Sequence, residues 1–504
     1  MRIILKRTDK YFWAAAAILL AGCAARLLAL GAFPCGLNQD EAFAGYNAWA
    51  LLHYGVDSSG YHNPVYLTAW GSGMNALESY LMMPFIALLG TGTAVLRLPQ
   101  ALVACLSLFA VYGLGKRAVG RGFALCALAV LATSPWHVMM ARWALESNLA
   151  PGFLLFGLYC FVRGLTRTRW LYASAAAYGL SLYAYATIWP IVPIIILLQV
   201  FYAVWMKKLR WRNLPGPALL LFILALPLLW FLCVQMGFLP EIHTTLFSIP
   251  KMPEFRGAEI SLSHFFSNWK TALSVLLHQS DGLSWNSFAP FGLYFPFWPV
   301  PFLIGLTSAF IQLIRSARAG QFSFLWFLFS NLLAGVLLCG LIQVNVNRMN
   351  VIHIPILLFI AYGVYVLCRK LPGWTKAAFI LLYGISFILF LGQYFSSYNS
   401  VIGTDFREGL RQAVTYAQAV RGEAPLHVSQ DAHFSQVLLF AKVPPQQFSL
   451  SEPYHFSDIT IGPAREAPPG AVYVGPLWEI NGYVSLNYTV VPFAQWGVAI
   501  PPGE

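Results

Sequence analysis

Eleven apolar stretches interrupt the first 394 residues, and each is long enough to decide what the chain can fold into. A run of about 20 apolar residues crosses the hydrocarbon core only as a helix, because a helix satisfies its own backbone where no water is available. The runs lie at roughly 11–31, 94–114, 121–137, 149–163, 170–186, 187–206, 216–236, 293–314, 321–342, 349–368 and 374–394. The fifth and sixth are nearly continuous, broken only near Trp189-Pro190. Composition agrees: 58% of residues are hydrophobic and 10% are charged, whereas a soluble domain is about a quarter charged. So little charge cannot cover a soluble surface, and lipid must solvate most of the chain. The first run is longer than a signal peptide core and lacks a small-residue cleavage site, so it is expected to stay as the first span.

The net charge of +12 does not indicate nucleic acid, because the basic residues sit in short clusters between apolar runs. The eight cysteines form no CxxC and mostly fall inside apolar runs, which makes them core residues. Basic clusters set orientation. With the N-terminus in the cytoplasm, 19 of the 31 Lys and Arg fall on inner segments. Three long pieces then lie outside: a first loop at 32–93, a second at 237–292, and the tail at 395–504. In the tail, Asp405 to Arg421 has the pattern of an amphipathic helix. Leu426–Ser429, Ala471–Val474 and Tyr488–Val491 read as short strands. The expected architecture is an all-α polytopic membrane protein with about eleven transmembrane helices at 1–394 and a small extracytoplasmic α/β domain at 395–504. No internal repeat is visible, which disfavours a transporter built from duplicated halves.

Two carboxylates, Asp40 and Glu41, follow the first span directly. Acids so close to lipid are costly and usually functional. Ala42, Tyr46, Trp49 and His53 would share one face of a short helix lying at the interface. Asn38 and Glu41 also have the spacing of a capping box, and both acids suit a helix N-terminus. Asp40 is not needed for that cap, which makes it the candidate base.

Gln39-Asp40-Glu41-Ala-x-x-Gly-Tyr46 is followed by Tyr54-Gly-x-Asp57-x-x-Gly60 and Asn63-Pro64-x-Tyr66. Further along stand Arg97-Leu-Pro99, Ser134-Pro-Trp-His137, Ala141-Arg142-x-Ala-x-Glu146-Ser-Asn148 and Asn347-Arg348-x-Asn350 with Pro355. Together these resemble membrane-embedded glycosyltransferases of the C-type fold, in the branch of the protein O-mannosyltransferases and the lipid A aminoarabinose transferase. The resemblance implies a polyprenyl-phosphate sugar donor, an outer-face active site and inversion at the anomeric carbon. It places Asp40 where the family's acceptor-activating acid lies, with Glu41 completing the acidic pair. Chemistry fits: a sugar phosphate carries its own leaving group, so one base suffices, and cations must neutralise the departing phosphate.

Arg142, Arg348 and Arg97 are the scarce cations expected at the outer interface, and each is a candidate phosphate ligand. Arg142 and Glu146 are also spaced i,i+4 and could pair with each other; Arg97 could equally snorkel from its helix end. His62, Asn63 and Tyr66 share the first outer loop with Asp40 and are candidate sugar contacts, although a satisfied loop His is the common case. Glu78 lies in an apolar stretch that reads as a second interfacial helix. Asp281, between His278 and Trp285, is a candidate sugar ligand or a simple Asp-Gly turn, and His353 could support Arg348 or cap a span. No metal-ligand spacing is diagnostic, so no cofactor is expected to be required, with a divalent ion left open. The function expected is transfer of a sugar from a polyprenyl-phosphate donor to an acceptor, which the sequence leaves open between protein, lipid and polysaccharide. A lipid-linked sugar flippase or transporter, or a non-catalytic scaffold, is the rival.

Overall fold

The computed structural model describes residues 10–69, 73–255, 262–448, 455–456 and 458–502. The helices are α1 (Lys10–Leu27), α2 (Gln39–Tyr54), α3 (Leu77–Leu89), α4 (Thr93–Ala118), α5 (Arg121–Thr133), α6 (Pro135–Met140), α7 (Glu146–Gly164), α8 (Arg169–Leu182), α9 (Ile191–Trp205), α10 (Pro215–Gln235), α11 (Phe265–His278), α12 (Pro299–Arg318), α13 (Leu325–Leu341), α14 (His353–Lys370), α15 (Trp374–Tyr394), α16 (Ser397–Asp405), α17 (Leu410–Val420), α18 (Phe434–Ala441) and α19 (Leu477–Ile480). Each of the eleven apolar runs is a helix: α1, α4, α5, α7, α8, α9, α10, α12, α13, α14 and α15. Among the described residues, six helical stretches are long and apolar enough to cross a membrane unaided: Lys10–Leu27, Thr93–Ala118, Pro215–Gln235, Pro299–Arg318, Asn350–Lys370 and Trp374–Tyr394.

Local chemistry sets the breaks. The third run ends early, at Thr133, because the residue before a proline leaves the helical region. Ser134 is extended there, and its side chain accepts from the His137 N–H to start α6 with Pro135 in its first turn. The break between α8 and α9 falls at 183–190, which includes Trp189-Pro190. Helices α12 and α14 make the closest backbone approach. A Cβ on Gly305 would lie 1.9 Å from the Phe359 carbonyl oxygen, and one on Gly363 would lie 1.8 Å from that of Pro301. Small residues that let backbones touch are the usual device for pairing helices in lipid.

Outside the bundle, β1 (Tyr66–Leu67) pairs with β2 (Met74–Asn75), and β3 (Ile242–His243) pairs with β4 (Ser248–Ile249). The tail forms one six-stranded sheet from β5 (Leu426–Ser429), β6 (His455–Phe456), β7 (Ile459–Gly462), β8 (Val472–Pro476), β9 (Thr489–Phe493) and β10 (Trp496–Ile500). Its order is β6-β7-β5-β8-β10-β9, with β5 parallel to both β7 and β8 and the other pairs antiparallel. The three strands expected from sequence are β5, β8 and β9. The expected helix from Asp405 begins only at Leu410, because Arg407 and Gly409 have φ of 53° and 95° and turn the chain.

Helix α2 also departs from expectation. It does not lie on the interface: every residue from Glu41 to Leu51 is buried. Phe43, Tyr46 and Trp49 share one hydrophobic core with α3 and with Val414, Phe434, Val437, Leu438 and Val498 of the tail. The tail and the first outer loop are therefore packed as one body. Substituting Gly305→Ala or Gly363→Ala is expected to cost at least about 1–3 kcal/mol through overpacking. Thermal unfolding in detergent checks this, and an unshifted midpoint for both variants would contradict the close crossing.

Candidate active site

The site is built outward from the capping box that starts α2. Asn38 accepts from the Asp40 N–H at 2.9 Å, and its own N–H donates to Glu41 Oε2 at 3.0 Å. Glu41 turns inward and is fully buried, whereas Asp40, one residue earlier, is only partly buried. Arg97 of α4 meets Glu41 through two bonds, Nε to Oε1 at 2.8 Å and a terminal nitrogen to Oε2 at 2.9 Å. The Ala144 N–H adds a further bond to Oε1 at 2.7 Å. A forked, fully hydrogen-bonded pair is the arrangement that makes a buried ion pair tolerable.

Three expected phosphate ligands are thereby reassigned or constrained. Arg97 is wholly buried, and its remaining donors go to the carbonyls of Leu30, Pro34 and Gly36. Its side chain is engaged inside the chain and does not snorkel. Arg142 is also wholly buried, and it donates to the carbonyls of Ala25, Leu28, Ala29 and Phe33 with the Phe395 ring 4.6 Å away. It caps the C-terminal end of α1, where helical carbonyls lack partners. Arg142 and Glu146 do not pair, since Arg142 precedes α7 and Glu146 instead accepts from the Asn75 N–H. Arg348 remains half-buried just before the N-terminus of α14, donating to Gln343 Oε1 at 3.0 Å and held by Asn345 through its own N–H.

The other candidates organise loops. His62 meets the Gly55 carbonyl, and Asn63, in the left-handed region, donates to Leu246. Tyr66 packs on Trp189 and Phe231. His62 thus braces its own loop, Asn63 ties that loop to residue 246, and Tyr66 packs it on the helical bundle. Asp281 accepts from Leu283, Asn286 and the Val346 N–H, the last at 2.8 Å. His353 is fully buried between Tyr294 and the Val346 carbonyl, so it props the 346 loop and does not touch Arg348. Glu78 is fully buried in α3, and neither carboxyl oxygen has a hydrogen-bond partner among the described residues.

Five segments far apart in sequence close into a ring around this point. The Leu37 N–H donates to the Phe406 carbonyl at 2.8 Å. The Phe406 ring lies 5.8 Å from Trp285 and 5.6 Å from Trp143. Asp281, four residues before Trp285, holds Val346. Asn350 donates to Asn148 at 3.0 Å, and Ala144 returns to Glu41. Phe406, Trp143 and the amide pair Asn148–Asn350 were not foreseen as site residues; their alignment with Asp40 is purely tertiary. Below the amides, mostly apolar residues of α7, α13 and α14, with Asn331 among them, line a small cavity of about 20 Å³.

A family model for dolichyl-phosphate-mannose-protein mannosyltransferases matches residues 76–232, from α3 through α10. No curated protein sequence matches the chain. Among solved structures, ArnT from Cupriavidus metallidurans bound to undecaprenyl phosphate aligns with a TM-score of 0.54 at 14% identity, over 98% of this chain and 100% of that one. This chain shares the fold of that structure over nearly its whole length. The archaeal oligosaccharyltransferase AglB from Archaeoglobus fulgidus, in complex with an inhibitory peptide and a dolichol-phosphate, aligns with a TM-score of 0.52 at 14% identity. That match covers 86% of this chain and 63% of the archaeal one. The chain is thus a multi-pass membrane protein of this fold, as its sequence motifs indicate.

Two stability experiments test the site's framework. Arg97→Met strands the Glu41 carboxylate and is expected to cost about 3–5 kcal/mol; a variant as stable as wild type in detergent would contradict the buried pair. Asp57 is buried, and its Oδ1 accepts from the Ser59 and Tyr61 N–H groups while Oδ2 has no partner among the described residues. Burial pushes its carboxyl up to about 6, against the pull of those N–H groups. The folded state then holds this proton more tightly than the unfolded chain, so stability falls as pH rises from about 4 to about 6. Asp57→Asn keeps the acceptor without ionising. Its melting midpoint is expected to gain on wild type through that window and to hold a constant lead above it; a lead independent of pH would contradict the assignment.

Proposed function

We propose that this protein is an inverting glycosyltransferase that moves a sugar from a polyprenyl-phosphate donor to an acceptor at the outer membrane face. The observation that carries the proposal is the placement of Asp40. It is partly exposed at the N-terminus of α2, on a segment fixed by the buried Glu41–Arg97 pair. The matched family is described by a dolichyl-phosphate sugar, and the two structural relatives carry undecaprenyl phosphate and a dolichol-phosphate. Polyprenyl phosphate is the ligand chemistry they share.

In this proposal Asp40 takes the proton from the acceptor's hydroxyl or amine as that atom bonds to the anomeric carbon. The bond from the anomeric carbon to the phosphate oxygen breaks, and the polyprenyl phosphate leaves with its electron pair. One displacement inverts the anomeric centre. Arg348 meets the departing phosphate, and the prenyl chain stays in the bilayer hydrocarbon, held in a groove between spans. Glu41 acts by anchoring the segment and does not touch the reacting atoms. The chemistry as drawn requires no metal. The basic clusters place the N-terminus in the cytoplasm and the tail sheet outside.

Membranes containing the protein are supplied with a panel of undecaprenyl-phosphate-linked hexoses and pentoses. Wild type is expected to transfer one of them, and Asp40→Asn is expected to lower the rate by about 10²–10⁴-fold with the folded yield unchanged. Unimpaired transfer by folded Asp40→Asn would remove the base assignment. Failure of wild type to transfer any member would return the chain to the flippase or transporter class.

A further inference from the structure

The tail grips the segment that carries Asp40. Residues 35–39 lead into α2 through a bend at Gly36, and alternate positions along them bond to residues beyond α15. The Cys35 N–H donates to Asn399 Oδ1 at 2.7 Å. At position 37 both backbone groups are taken: the N–H donates to the Phe406 carbonyl at 2.8 Å, and the carbonyl accepts from Gln436 Nε2 at 2.6 Å. The Gln39 carbonyl accepts from Ser435 Oγ at 2.8 Å. Between them, Gly36 has φ of 76°, and a Cβ there would lie 2.3 Å from the Phe406 oxygen, so the two chains touch at backbone distance. About two turns of α2 further on, the Tyr46 hydroxyl donates to the Val443 carbonyl at 2.8 Å.

These bonds go to the main chain of residues 35–39, so they fix where the next residue's backbone stands. Ser435 and Gln436 are both fully buried and lie in the first turn of α18. The Gln436 side chain has two tasks: its amide nitrogen holds Leu37, and its Oε1 accepts from the His433 N–H to cap α18.

We propose that Ser435 and Gln436 are positioning residues for the transfer reaction: the tail acts as the back wall of the active site, setting the path of the Asp40 segment. The proposal rests on Asp40 being the base. A base must stand within hydrogen-bond reach of the proton it takes, and small misplacements cost large factors in rate. Releasing the segment therefore lowers turnover without disturbing donor binding, which is assigned to Arg348 on a different segment of the ring.

Gln436→Glu separates the two tasks, since it keeps the oxygen that caps α18 and loses the N–H that holds Leu37. Ser435→Ala removes the second grip and serves if Gln436→Glu misfolds. Each full-length variant is measured in two ways, by amide hydrogen exchange over residues 35–44 in detergent and by turnover of the donor that wild type uses. The expected result is faster exchange in 35–44, kcat lower by about 10–100-fold, and an unchanged KM for the donor lipid. Faster exchange with full kcat would overturn the positioning role, and unchanged exchange would overturn the grip itself. A raised donor KM at full kcat would also overturn the proposal, by placing the tail in binding. If wild type turns over no donor, the glycosyl-transfer reading fails, and exchange alone then decides whether the grip exists.

Discussion

The Glu41 carboxylate fixes how the start of α2 meets α4 and the turn before α7. It takes two donors from Arg97, one from Ala144 and one from Asn38, all in a dry interior. A buried charge is stable only when so fully met. Arg97 then spends its other donors on the carbonyls of residues 30, 34 and 36. A single ion pair thereby joins α4, the connection after α1, the start of α2 and the turn before α7. Asp40 is displayed by that framework and takes no part in it through Glu41's bonds.

Three arginines, 26, 97 and 142, are wholly buried, and all three bond mainly to backbone carbonyls. Arg26 illustrates the pattern: it reaches the carbonyls of Gly22, Leu131 and Ala132 and the His137 ring, joining α1 to the break before α6. Where chain breaks in an apolar setting leave carbonyls unpaired, a guanidinium with five donors is the side chain best able to meet several at once. Scarcity of cations at the outer surface therefore does not by itself mark phosphate ligands. Arg348 differs in its surroundings, which are the amides of Gln343 and Asn345 and partial exposure.

What the sequence carried was local. Apolar run length located eleven helices, and the Asn38–Glu41 spacing announced a capping box whose two bonds are both present. Strand β5 was legible because its four residues alternate with clear turns. Asp405 to Glu408 misled because their polar-apolar pattern suits a helix, while Arg407 and Gly409 adopt positive φ to bring Phe406 against Leu37. Arg142 and Glu146 misled because i,i+4 spacing implies a pair only inside one helix, and α7 begins after Arg142. The carbonyl partners of Arg97, Arg142 and Gln436 lie 61 to 399 residues away, and no side-chain pattern encodes a carbonyl.

The fold thus supplies a clamped segment carrying Asp40 and an amide pair, Asn148 and Asn350, on the same ring of contacts. The most direct test of their joint purpose is a structure of the protein with undecaprenyl phosphate bound. The phosphate is expected within hydrogen-bond distance of Arg348, on the same side as Asp40, with the prenyl chain in a groove between spans. A lipid phosphate bound at the opposite membrane face, or separated from Asp40 by the packed ring of Trp143, Trp285 and Phe406, would contradict it.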